Sequence, residues 1–285
     1  MDQRIIDLYD AYTHGALGRR EFMDRLAQVV GGAAAAAALL GVLQNDYARA
    51  AVIAEDDPRL ATERVTYEAA GSKVRGYLAR LQGGAKRPAV IVIHENRGLN
   101  PHIEDVTRRL AVDGFLALGV DALSPLGGTP ADEDKAREMI GTLDRAETLA
   151  RYAAAVSFLA AHPESSGKVG AVGFCWGGAM ANRLAAAGTP LAASVAYYGM
   201  PLPAEDVPKI TAPLLLHYAG LDERINAGVP AYEEALKKSG KAYEVHMYPG
   251  ANHAFNNDTN AARYNKEAAD LAWGRTIAFL KKHLS

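Results

Sequence analysis

A single cysteine, Cys175, occurs in 285 residues, so a disulfide within the chain and a cysteine-rich zinc site are both excluded. The thiol is therefore either inert packing or chemistry, and one unpaired cysteine fits either redox compartment. Excess charge of either sign is also missing. Lys and Arg number 31 against 33 Asp and Glu, for a net charge of −2 and a pI near 6.5. That balance offers no electrostatic footprint for nucleic acid or an anionic membrane. There is no His-Glu-x-x-His motif, and His94 and His102 are not in a helical metal-ligand spacing, which leaves a metal hydrolase with little support. Internal repeats and low-complexity linkers are absent too. Apolar residues, by contrast, make up 49% of the chain, enough for one large core or two modest ones.

The first 50 residues differ from the rest. Ile5, Leu8, Tyr9 and Tyr12 fall at i, i+3, i+4 and i+7, and Phe22, Leu26, Val29 and Val30 follow a similar spacing. Two amphipathic helices are expected, separated by His14-Gly15-Ala16-Leu17-Gly18. From Leu26 to Asn45 the chain carries no charge and is rich in alanine. Arg19-Arg20-Glu21-Phe22-Met23 has the form of a twin-arginine export signal, and Ala48-Arg49-Ala50 the small-x-small form of a cleavage site. Against export, Asp2, Asp7 and Asp10 make the leading stretch acidic. Two readings of residues 1–55 stay open. One is a Tat-like signal to the periplasm. The other is a retained cytoplasmic arm packed on the body or, in a homo-oligomer, on a second copy of the chain. A stable membrane span is not expected, because alanine is a weak lipid-facing residue.

Residues 56–285 read as an α/β domain. Arg64 to Glu68 and Val74 to Leu81 alternate apolar and polar residues around Gly71-Ser72, as in an antiparallel hairpin. Pro88 to Ile93 and Pro213 to Tyr218 are continuous apolar runs, as expected of strands covered on both faces in a parallel sheet. Further strands are expected at 116–120, 168–174, 193–198 and 243–248. Helices are expected at 101–112, 132–161, 178–188, 229–238 and 262–284. The alternation predicts a doubly wound, mostly parallel sheet with an antiparallel edge hairpin, and a ligand site at the carboxyl ends of its strands.

Gly173-Phe174-Cys175-Trp176-Gly177 joins such a strand to such a helix. Glycines two before and two after the cysteine remove side chains where the turn brings backbones together, so Cys175 can adopt a strained conformation and project outward. A thiol at a helix N-terminus is biased toward thiolate, and the amide of Trp176 would form half of an oxyanion hole. Asp222 and His253 each follow a predicted strand, in the chain order nucleophile, acid, base. The imidazole would take the thiol proton and the aspartate would fix its tautomer. The loop His94-Glu95-Asn96-Arg97 follows the first buried strand, where a second oxyanion amide belongs; Asn96 is the candidate. The bland readings are a cysteine packed as a small hydrophobe, an aspartate that only caps a helix, and a histidine that only fills a loop.

These motifs, Gly173-Phe-Cys-Trp-Gly-Gly178, Gly220-Leu-Asp222, Tyr248-Pro-Gly-Ala-Asn-His-Ala-Phe255 and His94-Glu-Asn-Arg-Gly-Leu99, resemble those of the dienelactone hydrolase (carboxymethylenebutenolidase) family. The likeness runs from about Arg64 to the C-terminus, and the N-terminal arm is similar to the extension of one subgroup. The resemblance implies an α/β-hydrolase fold and a small-molecule lactone or ester substrate. It further implies a thioester at Cys175, a Cys-His-Asp triad, and neither cofactor nor metal. It also implies that Glu95 contacts the resting thiol and helps ionise it. The sequence departs from the family where arginines bind a substrate carboxylate: Asp121 to Gly128 contains none, and the position four past the histidine is Asn257. Arg97 is the candidate replacement. The competing readings are a redox-reactive single-cysteine protein, which has no second cysteine to resolve a sulfenate, and a non-catalytic binding protein on the same fold.

Overall fold

The computed structural model describes residues 1–47 and 51–285; the cleavage-site motif Ala48-Arg49-Ala50 lies outside the described residues. The first two strands, β1 (Leu60–Ala69) and β2 (Ser72–Leu81), pair antiparallel in the register Leu60 to Leu81. Their two-residue turn, Ala70-Gly71, has φ of 48° and 70°, and two successive positive values suit the twist of a tight hairpin.

Six more strands complete one sheet: β3 (Arg87–Ile93), β4 (Leu116–Asp121), β5 (Ser165–Phe174), β6 (Ala193–Tyr197), β7 (Leu214–Ala219) and β8 (Tyr243–Tyr248). Their order across the sheet is β1-β2-β4-β3-β5-β6-β7-β8, antiparallel at β1-β2 and β2-β4 and parallel elsewhere. Val90, Ile91, Val92 and Ile93 are fully buried. Helices cover both faces of β3, so each such side chain contributes roughly 1.5–3 kcal/mol, and β-branched residues suit both the strand and the burial.

Helices α4 (Pro101–Val112), α7 (Trp176–Ala185) and α9 (Val229–Lys238) lie close to the expected spans. The expected helix over 132–161 is instead two, α5 (Glu133–Gly141) and α6 (Arg145–Ala160). Asp144 accepts a hydrogen bond from the Glu147 amide, and this cap restarts the helix. A short α8 (Glu223–Asn226) follows Asp222. The last helix, α10 (Lys266–Leu284), starts four residues later than expected, because Asn265 caps it through the Ala268 amide.

The N-terminal segment forms α1 (Gln3–Thr13), α2 (Arg19–Val30) and α3 (Ala33–Leu43). Between α2 and α3, Gly31 and Gly32 have φ of 86° and 148° and the axes bend by 110°. No single helix among the described residues is long and apolar enough to cross a membrane. Ile5, Tyr9, Tyr12, Phe22, Leu26, Ala36 and Leu43 bury one another in a small core, with Tyr12 stacked on Phe22 at 4.7 Å between ring centres. The arm is tied to the body by polar contacts. Tyr12 donates to Asp134 (2.6 Å), Arg137 to the Tyr12 carbonyl (2.6 Å), Asn96 to the Thr13 carbonyl (2.8 Å) and Asn260 to the Leu43 carbonyl (2.6 Å).

Candidate active site

The loops that leave the carboxyl ends of β3, β5, β7 and β8 carry Glu95, Cys175, Asp222 and His253 to one edge of the sheet, the edge where open α/β sheets bind ligands. Cys175 caps α7 with φ 55° and ψ −113°, a strained conformation for a residue with a side chain. Its amide donates to the Tyr197 carbonyl at 3.0 Å and its carbonyl accepts from Ala179. The flanking glycines are required by backbone proximity. A Cβ on Gly173 would stand 2.0 Å from the Gly177 carbonyl oxygen, and one on Gly177 would stand 2.2 Å from that of Ile93. Neither obstacle is a side chain that can rotate away. Gly173→Ala is therefore expected to cost about 3 kcal/mol or more, about 6–10 °C of Tm for a chain of this size, as measured by calorimetry. A melting temperature unchanged within a degree would show that the elbow opens freely.

His253 is buried, and its Nδ1 donates to Asp222 Oδ2 at 2.5 Å. Asp222 also accepts from the Ile225 amide, so the carboxylate is fixed by both α8 and the ring. The other nitrogen, His253 Nε2, is buried without a hydrogen-bond partner among the described residues. A second imidazole stands on the sulfur: His14, in the linker after α1, places Nε2 at 3.3 Å from Cys175 Sγ. The two rings meet edge to face at 4.6 Å. His14 Nδ1 donates to the Asp10 carbonyl at 2.8 Å and lies 3.2 Å from Asp10 Oδ1.

Electrostatics follow from this packing. Burial by itself would raise the Cys175 thiol, but the charges of His253 and His14 and the His14 hydrogen bond reverse that and bring it down to about 6. Burial would likewise lower both imidazoles. The sulfur's charge, with Asp10 and Asp222, instead raises His253 well above its ordinary value, and the sulfur and Asp10 raise His14. The sulfur and the two rings thus favour one another's charged forms, while the charge on His253 works against one on His14.

Glu95 is buried beside the same small cavity as Cys175, but both carboxylate oxygens are engaged elsewhere: Tyr198 donates to Oε1 at 3.4 Å and Asn257 to Oε2 at 2.8 Å. Burial would raise this carboxyl, yet the charges of His102, Arg97 and Arg263 and the Asn257 hydrogen bond hold it below its ordinary value. Asn257, which stands where the resembling family has an arginine, thus serves as an anchor for Glu95. Arg97 does not line the main cleft; its Nε pairs with Glu133 at 2.9 Å and its Nη2 donates to Tyr9 at 3.2 Å, so it holds the arm. Asn96 and Trp176 both line the cleft. Trp176 is the first residue of α7, so its amide has no carbonyl four residues back within the helix. His94 Nδ1 donates to the Glu95 carbonyl and Nε2 accepts from Ala122, which commits both nitrogens; the ring stacks on Trp176 at 5.4 Å.

The main cleft has a volume of about 620 Å³ and is bounded by Cys175, His253 and Tyr198 on one side and by the arm at Thr13, His14 and Gly15 on another. Sequence reasoning missed Tyr198, whose ring lies 5.0 Å from that of His253, and it missed His14 and Asp10. The available signal was weak: an Asp and a His four residues apart share a helix face, but at the end of an amphipathic helix they look like solvated surface. Among the described residues, two groups have ligand atoms within 4.8 Å of one another and could hold a metal ion, His14-Cys175-His253 and Asp10-Asp222-His253.

A family model described as the dienelactone hydrolase family matches residues 74–284, and one described as YqhI-like matches residues 1–32. The protein named "Putative carboxymethylenebutenolidase" in Saccharolobus solfataricus is 33% identical over 256 residues, 77% of this chain and 98% of its own length. The "Probable 2-oxo-3-(5-oxofuran-2-ylidene)propanoate lactonase" of a Bradyrhizobium species is 35% identical over 229 residues, 75% of this chain and 91% of its own. Among solved structures, a dienelactone hydrolase-like promiscuous phosphotriesterase from metagenomic libraries superposes with a TM-score of 0.71 at 27% identity, covering 80% of this chain and 100% of that one.

Proposed function

The chain belongs to the dienelactone hydrolase family and hydrolyses esters or lactones, and from that premise we propose that it does so through a thioester on Cys175, within a triad completed by His253 and Asp222. One observation carries this reading: the elbow sulfur faces a cleft, with a carboxylate-anchored imidazole among the groups within 4.8 Å of it. A free thiol of pKa about 8.5 is mostly protonated at neutral pH, whereas a thiol near 6 is mostly thiolate.

In the proposed cycle the thiolate attacks the carbonyl carbon, and the amides of Trp176 and Asn96 receive the oxyanion. As the tetrahedral species collapses, the C–O bond to the leaving alkoxide breaks and His253 Nε2 gives it a proton. Neutral His253 then takes a proton from water, the hydroxide attacks the thioester, and the C–S bond breaks to release the acid and restore the thiolate. Asp222 holds the ring in the tautomer that presents Nε2 throughout.

Arg137, Arg145 and Arg224 stand on the cleft wall beside Glu138, with Arg137 also 3.5 Å from Asp134 and Arg224 3.7 Å from Asp10. Arg145, with the other two beside it, favours a substrate bearing a carboxylate, in keeping with the propanoate in the name of the Bradyrhizobium relative. In this reading residues 1–55 are a retained arm and 56–285 the catalytic domain.

The test is acid quenching of the full chain during turnover of a p-nitrophenyl ester, followed by peptide mass mapping. The acyl group is expected on the peptide holding Cys175, kcat/KM is expected to fall as pH drops through about 6, and turnover is expected to survive EDTA. An acyl group on any other residue, or EDTA inhibition reversed by zinc, would overturn the thioester route.

A further inference from the structure

We propose that His14 of the N-terminal arm is a further catalytic residue, a fixed cationic donor to the Cys175 sulfur that ionises the thiol and leaves His253 free to move the substrate's protons. The inference rests on Cys175 being the nucleophile.

Geometry is its warrant. Two Asp–His pairs converge on one sulfur: Asp222–His253 from the sheet edge and Asp10–His14 from the arm, the latter with Nε2 at 3.3 Å from Sγ. The His14 side chain is 13% exposed, and its position is built. The Thr13 carbonyl is held by Asn96 and the Tyr12 carbonyl by Arg137, so the two residues before His14 are pinned to the body. The contact that family resemblance assigns to Glu95 is made here by His14, while Glu95 is tied to Tyr198 and Asn257.

The proton balance is simple. The S–H bond breaks, an N–H bond forms at His14 Nε2, and that proton stays there while His253 gives one proton to the leaving alkoxide and regains one from water. A cation at His14 is set by the groups around it. Asp10 and the sulfur favour it, while His253 across the sulfur opposes it and is itself offset by Asp222. Arg137, Glu138, Arg145 and Arg224 line the same cleft, and Arg224 and Arg263 each lie 3.7 Å from Asp10. Without the arm, the sulfur would keep one imidazole.

The experiment measures iodoacetamide alkylation against pH, together with kcat/KM for a lactone, in the full-length native chain, His14→Ala, His14→Gln and Asp10→Asn. In His14→Ala the alkylation midpoint should rise by about one unit or more, and kcat/KM should fall about 10- to 100-fold, the weight of a hydrogen bond to a charged group. Asp10→Asn should shift the midpoint in the same direction by less. His14→Gln, which keeps a neutral donor, should regain part of kcat/KM. A His14→Ala chain with the native midpoint overturns the proposal whatever its rate, because a merely structural residue could slow turnover but would not move the thiol's ionisation. Thioester trapping on the native chain runs alongside. If no acyl group is found on Cys175, the nucleophile assignment fails, while the alkylation midpoint still reports whether His14 acts on the thiol.

Discussion

Cys175→Ala is expected to lower kcat/KM for aryl esters and lactones by about 10³-fold or more. The effect is large because in the proposed mechanism the nucleophile and its partners act as a unit: without the sulfur, His253 and the proposed oxyanion amides can only assist direct attack by water. The elbow itself should survive. Alanine is no more strained than cysteine at φ 55°, and the backbone bonds from the Cys175 amide to Tyr197 and from Ala179 to the Cys175 carbonyl do not involve the side chain. Folding is checked by a melting curve within a few degrees of native, which separates lost chemistry from lost structure. Cys175→Ser should sit close to alanine: its hydroxyl does not ionise between two imidazoles that favour a thiolate, so attack has to await proton transfer in every turnover. A Cys175→Ala chain retaining a rate within tenfold of native would remove the sulfur from the reaction.

The fold was legible because its strands and helices differ in period and in boundary chemistry. Pro88 to Ile93 is too β-branched and too continuous to be anything but a doubly covered strand, and Pro101 at a first helical turn marks α4 to the residue. Where capping side chains interrupt helical composition the reading slipped, at Asp144 and at Asn265, since an N-cap and a solvated helical residue are the same letter in a sequence. Cys175, Asp222 and His253 could be picked out together because each follows a strand end, and topology places strand ends side by side. His14 and Arg97 could not be placed that way. Their positions depend on how the arm docks, and amphipathic spacing tells which face of a helix is buried without telling what covers it. The arm's acidic residues read as evidence against an export signal, whereas Asp10 faces His14 and Arg263 inside the structure.

His253→Ala is expected to separate acylation from deacylation. With a p-nitrophenyl ester the leaving phenolate departs without a proton, and the thiol, though raised by the loss of the His253 charge, is still hydrogen-bonded by His14, so one turnover faster than deacylation should remain. A burst of about one equivalent of p-nitrophenolate per chain should precede a steady rate about 10²–10³-fold below native, because nothing then activates the water that opens the thioester. Lactones and alkyl esters, whose alkoxides leave only when protonated, should show neither burst nor turnover above that residual level. Removing the ring also strips Asp222 of its charged partner, at a cost of about 1–3 kcal/mol, so the kinetics are read well below the melting temperature of the variant. The two imidazoles are distinguished by this pattern. His14 has one nitrogen held by Asp10 and the other on the sulfur, so it can hold the thiolate but is not free to reach a water at the acyl carbon. Native steady-state turnover in His253→Ala, with no thioester accumulating, would mean that His14 exchanges protons with water after all, and the division of labour between the rings would have to be redrawn.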